Sequence, residues 1–298
     1  MKPSAGERAA QILLALLKAG CYVALFLGSQ LLVMMPVTLA AGIRSVIENK
    51  PVDEDLIAQM LTEQAMTYSL IANLLTLVII LTFYLIRRKK FSEALWLRRV
   101  DAPTLWEGAA LAPGLYLVVS FVLAALPESW MDSYNEASSG IVSGGMVGAL
   151  AVVVAAPVVE EVIFRGLVLT RLSQAMPGWL AVVLSAAIFG LCHGNPVWFG
   201  YAFVLGAVFG AMDLRAGSIW PSILGHITFN SFSQILSALP ENDGAELAAI
   251  AVLLIAAVAA PILDRKAVAA IFRPRPKAVP VQELPILPGV YEFDPWDA

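Results

Sequence analysis

Three short stretches hold the side chains whose types and spacing can do chemistry. VVEEVIFRGLVL carries Glu160, Glu161 and Arg165, FGLCHG carries Phe189 and His193, and GHITFNSF carries His226 and Asn230. Carboxylate, imidazole and carboxamide together form a hydrolytic set. Glu160 in a low-dielectric site is suited to take a proton from water. One histidine can share that water, and the other, with the Asn230 amide, can donate to the oxyanion of a tetrahedral intermediate. Glu160, His193 and His226 can equally hold a divalent metal such as zinc that activates the water. The HExxH helix of the usual zinc proteases is absent. A third chemistry is open as well, because an intramembrane carboxylate with histidines also suits the proton or ion path of a transporter.

Helical spacing says how these residues are presented. Glu161 and Arg165 are four apart and share a helix face, where they can neutralise one another. Glu160 projects about 100° away around the axis and has no partner in its own helix. Pro157, three residues earlier, has no backbone N–H and releases the carbonyl of Val153, so a local kink is expected there. Phe189 lies four before His193, under its imidazole, and His226 lies four before Asn230 on one face. Gly190, Gly194 and Gly225 flank the histidines and are expected to allow close helix approach, as are Gly206 and Gly210 for their own helix.

These residues lie in a chain built for lipid. Of its 298 residues 59% are hydrophobic and 14% charged, with a mean hydropathy of +0.78, against about 25% charged residues in soluble domains. An integral protein of a bacterial or archaeal plasma membrane is expected, all-α and polytopic. Eight apolar runs suit spans: Ala9–Ala41, Tyr68–Ile86, Gly108–Leu126, Val147–Leu172, Trp179–His193, Val197–Met212, Ile219–Leu239 and Leu247–Leu263. With the N-terminus cytoplasmic, fifteen of the 19 basic residues fall inside and only Arg44 and Lys50 outside, which predicts both termini inside. No cleavage site follows the first apolar run, so it reads as a helix and not a removed signal peptide. The basic residues form short clusters between apolar runs and no broad face, which excludes nucleic acid as a partner. Cys21 and Cys192 sit in apolar runs and support neither a disulfide framework nor a multi-cysteine metal site.

Four regions follow. Residues 1–143 form the first three spans with two amphipathic connections, 46–66 at the outer interface and 91–106 in the inner headgroup layer. Residues 144–240 form the core that holds the polar trio. Residues 241–272 form the last span, and 273–298 form a proline-rich cytoplasmic tail expected to be extended or disordered.

The three stretches, in this order and on successive helices, resemble the EExxxR, FxxxH and HxxxN motifs of the CAAX protease and bacteriocin-processing (CPBP, or Abi) family of intramembrane endopeptidases. The resemblance covers residues 147–239, under a third of the chain. It implies that Glu160 activates water, that His193 is its partner, and that His226 with Asn230 stabilises the oxyanion. Glu161, Arg165 and Phe189 take supporting places. It implies a peptide or membrane-protein substrate in the bilayer, and either a divalent metal or a glutamate-dependent mechanism without one. Members of the family also serve in bacteriocin self-immunity, so a non-catalytic immunity or scaffold protein is the alternative to a protease.

Overall fold

In a computed structural model the described residues are 4–49, 57, 64–142, 145–237, 251–252 and 254–255. They form nine helices: α1 (Ala5–Glu48), α2 (Ala65–Ile86), α3 (Phe91–Ala94), α4 (Ala102–Ala124), α5 (Glu128–Val142), α6 (Gly145–Ser173), α7 (Gly178–Leu191), α8 (Pro196–Ala216) and α9 (Trp220–Ser237). No strand occurs among the described residues. The protein is an all-α integral membrane protein.

The first seven expected spans coincide with α1, α2, α4, α6, α7, α8 and α9 in turn. Among them α1, α2, α4, α6 and α8 are long and apolar enough to cross a membrane, whereas α7 has 14 residues. The eighth expected span, most of the 46–66 connection and the proline-rich tail lie outside the described residues.

Local sequence sets the ends of these helices. Ser4 and Glu7 form a reciprocal capping box at the start of α1, with the Ser4 amide donating to Glu7 Oε2 at 2.7 Å and the Glu7 amide to Ser4 Oγ at 3.3 Å. At 44 residues α1 is about 66 Å long, roughly twice the hydrocarbon thickness. Asn195 caps α8, accepting from the amides of Val197 (2.8 Å) and Trp198 (3.3 Å), and Pro196 occupies the first turn, where its missing N–H is harmless. The same helix ends on Gly217 at φ +62°, a left-handed cap that favours glycine.

Helix α6 is the centre of the fold. Ile163, Phe164, Leu167, Val168 and Leu169 are fully buried around its whole circumference, while Leu13, Leu17, Leu31, Val78, Phe121 and other apolar side chains of α1, α2 and α4 face outward. Charged groups on α6 therefore meet protein and not lipid tails. The helix is not uniformly α: Ala151–Ala155 and Val162–Leu169 wind with π geometry on either side of Pro157. Such widened turns occur where the regular hydrogen-bond ladder is interrupted, which is the form the expected distortion takes here.

Glycines set two close helix crossings. A Cβ on Gly225 of α9 would lie 2.9 Å from Phe209 and 3.0 Å from the backbone of Gly108 on α4, so these two glycines bring the helices into backbone contact. A Cβ on Gly206 would lie 3.1 Å from Ala186 Cα, and one on Gly190 would meet Phe199, which draws α7 and α8 together. Gly210 leaves ordinary packing distance to Val182. The expectation for Gly194 is corrected: a Cβ there would meet nothing, and its φ of +69° makes it a turn residue and not a packing one.

Two connections pack against the helices. The 91–106 segment is held by protein contacts. Leu95 and Trp96 are buried, the Ile219 amide donates to the Trp96 carbonyl at 3.0 Å, and Ser218 Oγ donates to the Arg98 carbonyl at 2.8 Å. Side-chain apolarity alone cannot tell a lipid-facing tryptophan from one that packs under a neighbouring helix. The stretch SWMDSYNEASSG lies within α5, and its Tyr134 packs edge-on against Trp198 of α8 at 6.2 Å.

Candidate active site

Helices α6, α7 and α9 bring the polar side chains together. Glu161 is fully buried and Arg165 is 1% exposed, with Arg165 Nη1 3.1 Å from Glu161 Oε1. The contact is an ion pair and not a linear hydrogen bond, since neither guanidinium terminal nitrogen finds an aligned acceptor. The Arg165 guanidinium also lies over the Phe189 ring at 4.4 Å, a cation–π contact inside a dry interior.

His226 joins the two helices of the site. Its Nδ1 is 2.8 Å from Glu161 Oε1 and its Nε2 is 3.8 Å from Glu160 Oε2, so the imidazole stands between the two adjacent carboxylates of α6. Their separation around the helix axis makes this bracket possible: one faces inward to Arg165, and the other faces a partly accessible space at 17% exposure. The carboxylate at Nδ1 accepts the N–H, which fixes the ring orientation and turns Nε2 toward Glu160.

Phe189 is shared by every part of the site. Its ring meets His193 edge-on at 4.8 Å and His226 edge-on at 6.1 Å, besides carrying Arg165. The carbonyl of the same residue is 2.9 Å from His193 Nδ1. With Nδ1 donating there, His193 Nε2 is left as the acceptor. Phe209 closes the other side of His226 at 6.0 Å.

Asn230 is positioned by the backbone break at Pro157. In the π-wound turn the Ala156 amide donates to the Ala151 carbonyl. The next amide on that ladder would be that of Pro157, which has no N–H, so the Val152 carbonyl loses its helical partner. Asn230 Nδ2 donates to that carbonyl at 2.8 Å. The freed carbonyl is thus Val152, one residue before the one that α-helical spacing predicts, and the second N–H of the amide remains for another acceptor.

Glu160, His193 and His226 are the donors that a divalent metal would have to use here. Among the described residues no group of three His, Cys, Asp or Glu side chains is disposed to hold one. Each histidine gives its Nδ1 to a protein acceptor, Glu161 for His226 and the Phe189 carbonyl for His193, so Nε2 is the ring nitrogen left to each.

Residues 142–232, which contain all seven site residues, match the family described as type II CAAX prenyl endopeptidase Rce1-like. The segment is similar to that family. A putative membrane peptidase of Bacillus subtilis, YdiL, is 28% identical over 87 residues, which is 29% of this chain and 36% of that relative. The matched stretch thus spans about a third of the curated relative's length. No solved structure matches. The Rce1-like segment runs from the end of α5 to α9, so α1, α2 and α4 are the frame around it.

Buried polar residues beyond the three motifs complete the surroundings. Glu107 on α4 and Arg215 on α8 form a buried ion pair, and Asp213, fully buried, accepts from the Ser222 amide at 3.3 Å near the start of α9. Both α8 residues sit just past the apolar run Val197–Met212, and Glu107 just before Gly108–Leu126. An acid and a base at the ends of two neighbouring apolar runs were the available signal.

Proposed function

We propose that this protein is an intramembrane endopeptidase of CAAX-protease type, with an even number of spans and both termini on the inner side, that hydrolyses a peptide bond of a membrane-associated peptide or protein. The observation that carries this reading is the placement of His226 between Glu161, which holds it, and Glu160, which keeps a small exposed part. The similarity of residues 142–232 to CAAX prenyl endopeptidases supports the same chemistry.

Glu160 is the base. At 3.8 Å, Glu160 Oε2 and His226 Nε2 are too far apart for a direct hydrogen bond and leave room for a bridging water. Glu160 takes the proton of that water as its oxygen attacks the scissile carbonyl, and His193 Nε2 accepts the water's second hydrogen bond, which orients it. In its doubly protonated form His226 donates from Nδ1 to Glu161 and from Nε2 to the oxyanion, and the second N–H of Asn230 joins it. Glu160 then returns its proton to the leaving amine. Glu161, Arg165 and Phe189 are positioning residues: they hold His226 and His193 in dry surroundings where a fixed donor stabilises charge more than it does in water.

The test is cleavage of a fluorogenic prenylated CAAX peptide, together with a peptide survey of cells that carry wild-type or Glu160→Gln protein. Glu160→Gln is expected to lower turnover at least about 100-fold without loss of stability, because the residue holds no ion pair with Arg165. Turnover equal to wild type would sink the assignment.

A further inference from the structure

Away from the active site, where α2 and α6 end, cations gather around a buried guanidinium. Arg171, in the last turn of α6, is 8% exposed, and its Nε has no hydrogen-bond partner. Its Nη1 reaches Gln174 Oε1 at a long 3.4 Å, and the guanidinium also hydrogen-bonds the Tyr84 hydroxyl. The Tyr84 hydroxyl lies between Arg171 and Tyr22 of α1, which packs on this turn of α6. Lys18 of α1 and Lys89, just after α2, both feel the charge of Arg171, and Arg87 adds to the field at Lys89. Partial burial and these two guanidinium charges hold the Lys89 ammonium below its ordinary proton affinity. Among the described residues no ion pair to a carboxylate is made by Arg171, Lys18 or Lys89.

Three cations from three helical segments, with two tyrosine hydroxyls and an unpartnered guanidinium N–H, repel one another without a counter-charge. Burying that guanidinium is unfavourable unless an anion comes to it. The group must accept several N–H bonds and carry at least one full negative charge. A phosphate oxygen set does both, and a guanidinium fork matches it. The end of a helix bundle beside basic residues is also where lipid headgroups lie.

We propose that Arg171, Lys18, Lys89 and the Tyr84 hydroxyl form a binding site for a phosphate-bearing anion, supplied by an anionic lipid headgroup or by free phosphate. It is separate from the Glu160–His226 site and stands or falls independently of the proteolytic reading.

The experiment compares the full-length protein in nanodiscs of pure phosphatidylcholine, of phosphatidylcholine with phosphatidylglycerol, and of pure phosphatidylcholine with inorganic phosphate. Thermal midpoint and bound lipid by native mass spectrometry are the readouts. Phosphatidylglycerol is expected to raise the midpoint of the wild type and to be retained through delipidation. Lys18→Gln and Lys89→Gln are each expected to weaken that retention about fivefold, in line with a single basic residue at a lipid surface, and Arg171→Gln to abolish it. A rise with inorganic phosphate that the same variants remove assigns the site to free phosphate. Because Arg171 is buried and its variant can fail to fold, the two lysine variants decide. If neither lysine substitution changes the response to either anion, the proposal is overturned.

Discussion

Arg165→Met tests whether the charges of α6 are tolerated because they are paired. The side chain is 1% exposed, its Nη1 lies 3.1 Å from a fully buried carboxylate, and its guanidinium covers the Phe189 ring at 4.4 Å. Methionine fills much of the same volume but leaves the buried Glu161 without its cation, with His226 Nδ1 and the Ser222 hydroxyl as the donors that remain. Removing one partner of a buried pair costs about 3–5 kcal/mol, because the charge left behind is uncompensated. The lost cation–π contact is part of that figure and accounts for up to about 2 kcal/mol of it. At about 2 °C per kcal/mol for a chain of this size, the thermal midpoint falls by roughly 6–10 °C. Glu161→Gln alone strands the guanidinium instead and falls comparably. The double substitution, with no charge to strand, is expected to lie within about 3 °C of the wild type, a coupling of several kcal/mol between two residues in contact. Melts of all four proteins in one detergent measure this. A single Arg165→Met that loses under about 2 °C, or a double variant that loses the sum of the singles, refutes the reasoning that pairing makes these charges tolerable.

Other substitutions address packing and the backbone break. Gly225→Ala places a methyl group 2.9 Å from Phe209 and 3.0 Å from Gly108. It should cost about 1–3 kcal/mol of stability and lower activity by displacing His226, the next residue, whereas Gly194→Ala should act through backbone strain without any such clash. Both are read from melts beside the cleavage assay. Asn230→Ala orphans the Val152 carbonyl that Pro157 leaves without a helical donor. A stability loss of about 1–3 kcal/mol is expected together with the loss of oxyanion donation. Pro157→Ala in the Asn230→Ala background should restore part of the stability and none of the turnover.

The composition and run lengths of the sequence were enough for an all-α membrane protein, and seven of its expected spans coincide with helices. Periodicity explains that success, because lipid leaves a spanning segment little choice but to satisfy its own backbone as a helix. The ion pair of Glu161 with Arg165 and the packing of Phe189 against His193 were legible for the same reason, each being set by the four-residue repeat of one helix. The distortion at Pro157 was legible as an event, since a missing N–H is a property of the residue itself. Which carbonyl it frees was not, because that depends on the π winding of the turn.

Contacts between helices were beyond such reasoning. Nothing in the spacing of α9 says that His226 turns Nδ1 to Glu161 and Nε2 to Glu160, or that Asn230 reaches Val152 on another helix. Those choices follow from the Gly108–Gly225 crossing and from the amount of side chain that fits between α6 and α9. The burial of Trp96 and the pairing of Glu107 with Arg215 were settled in the same way, by which surfaces the packed bundle leaves facing lipid. The sequence by itself determined the residue types, their helical faces and the need to shield three charges on one helix. Only the tertiary structure decided that His226 stands between the two carboxylates, and that Glu160 borders an accessible space while Glu161 is enclosed. Adjacent residues differ in that respect only through what neighbouring helices place against them.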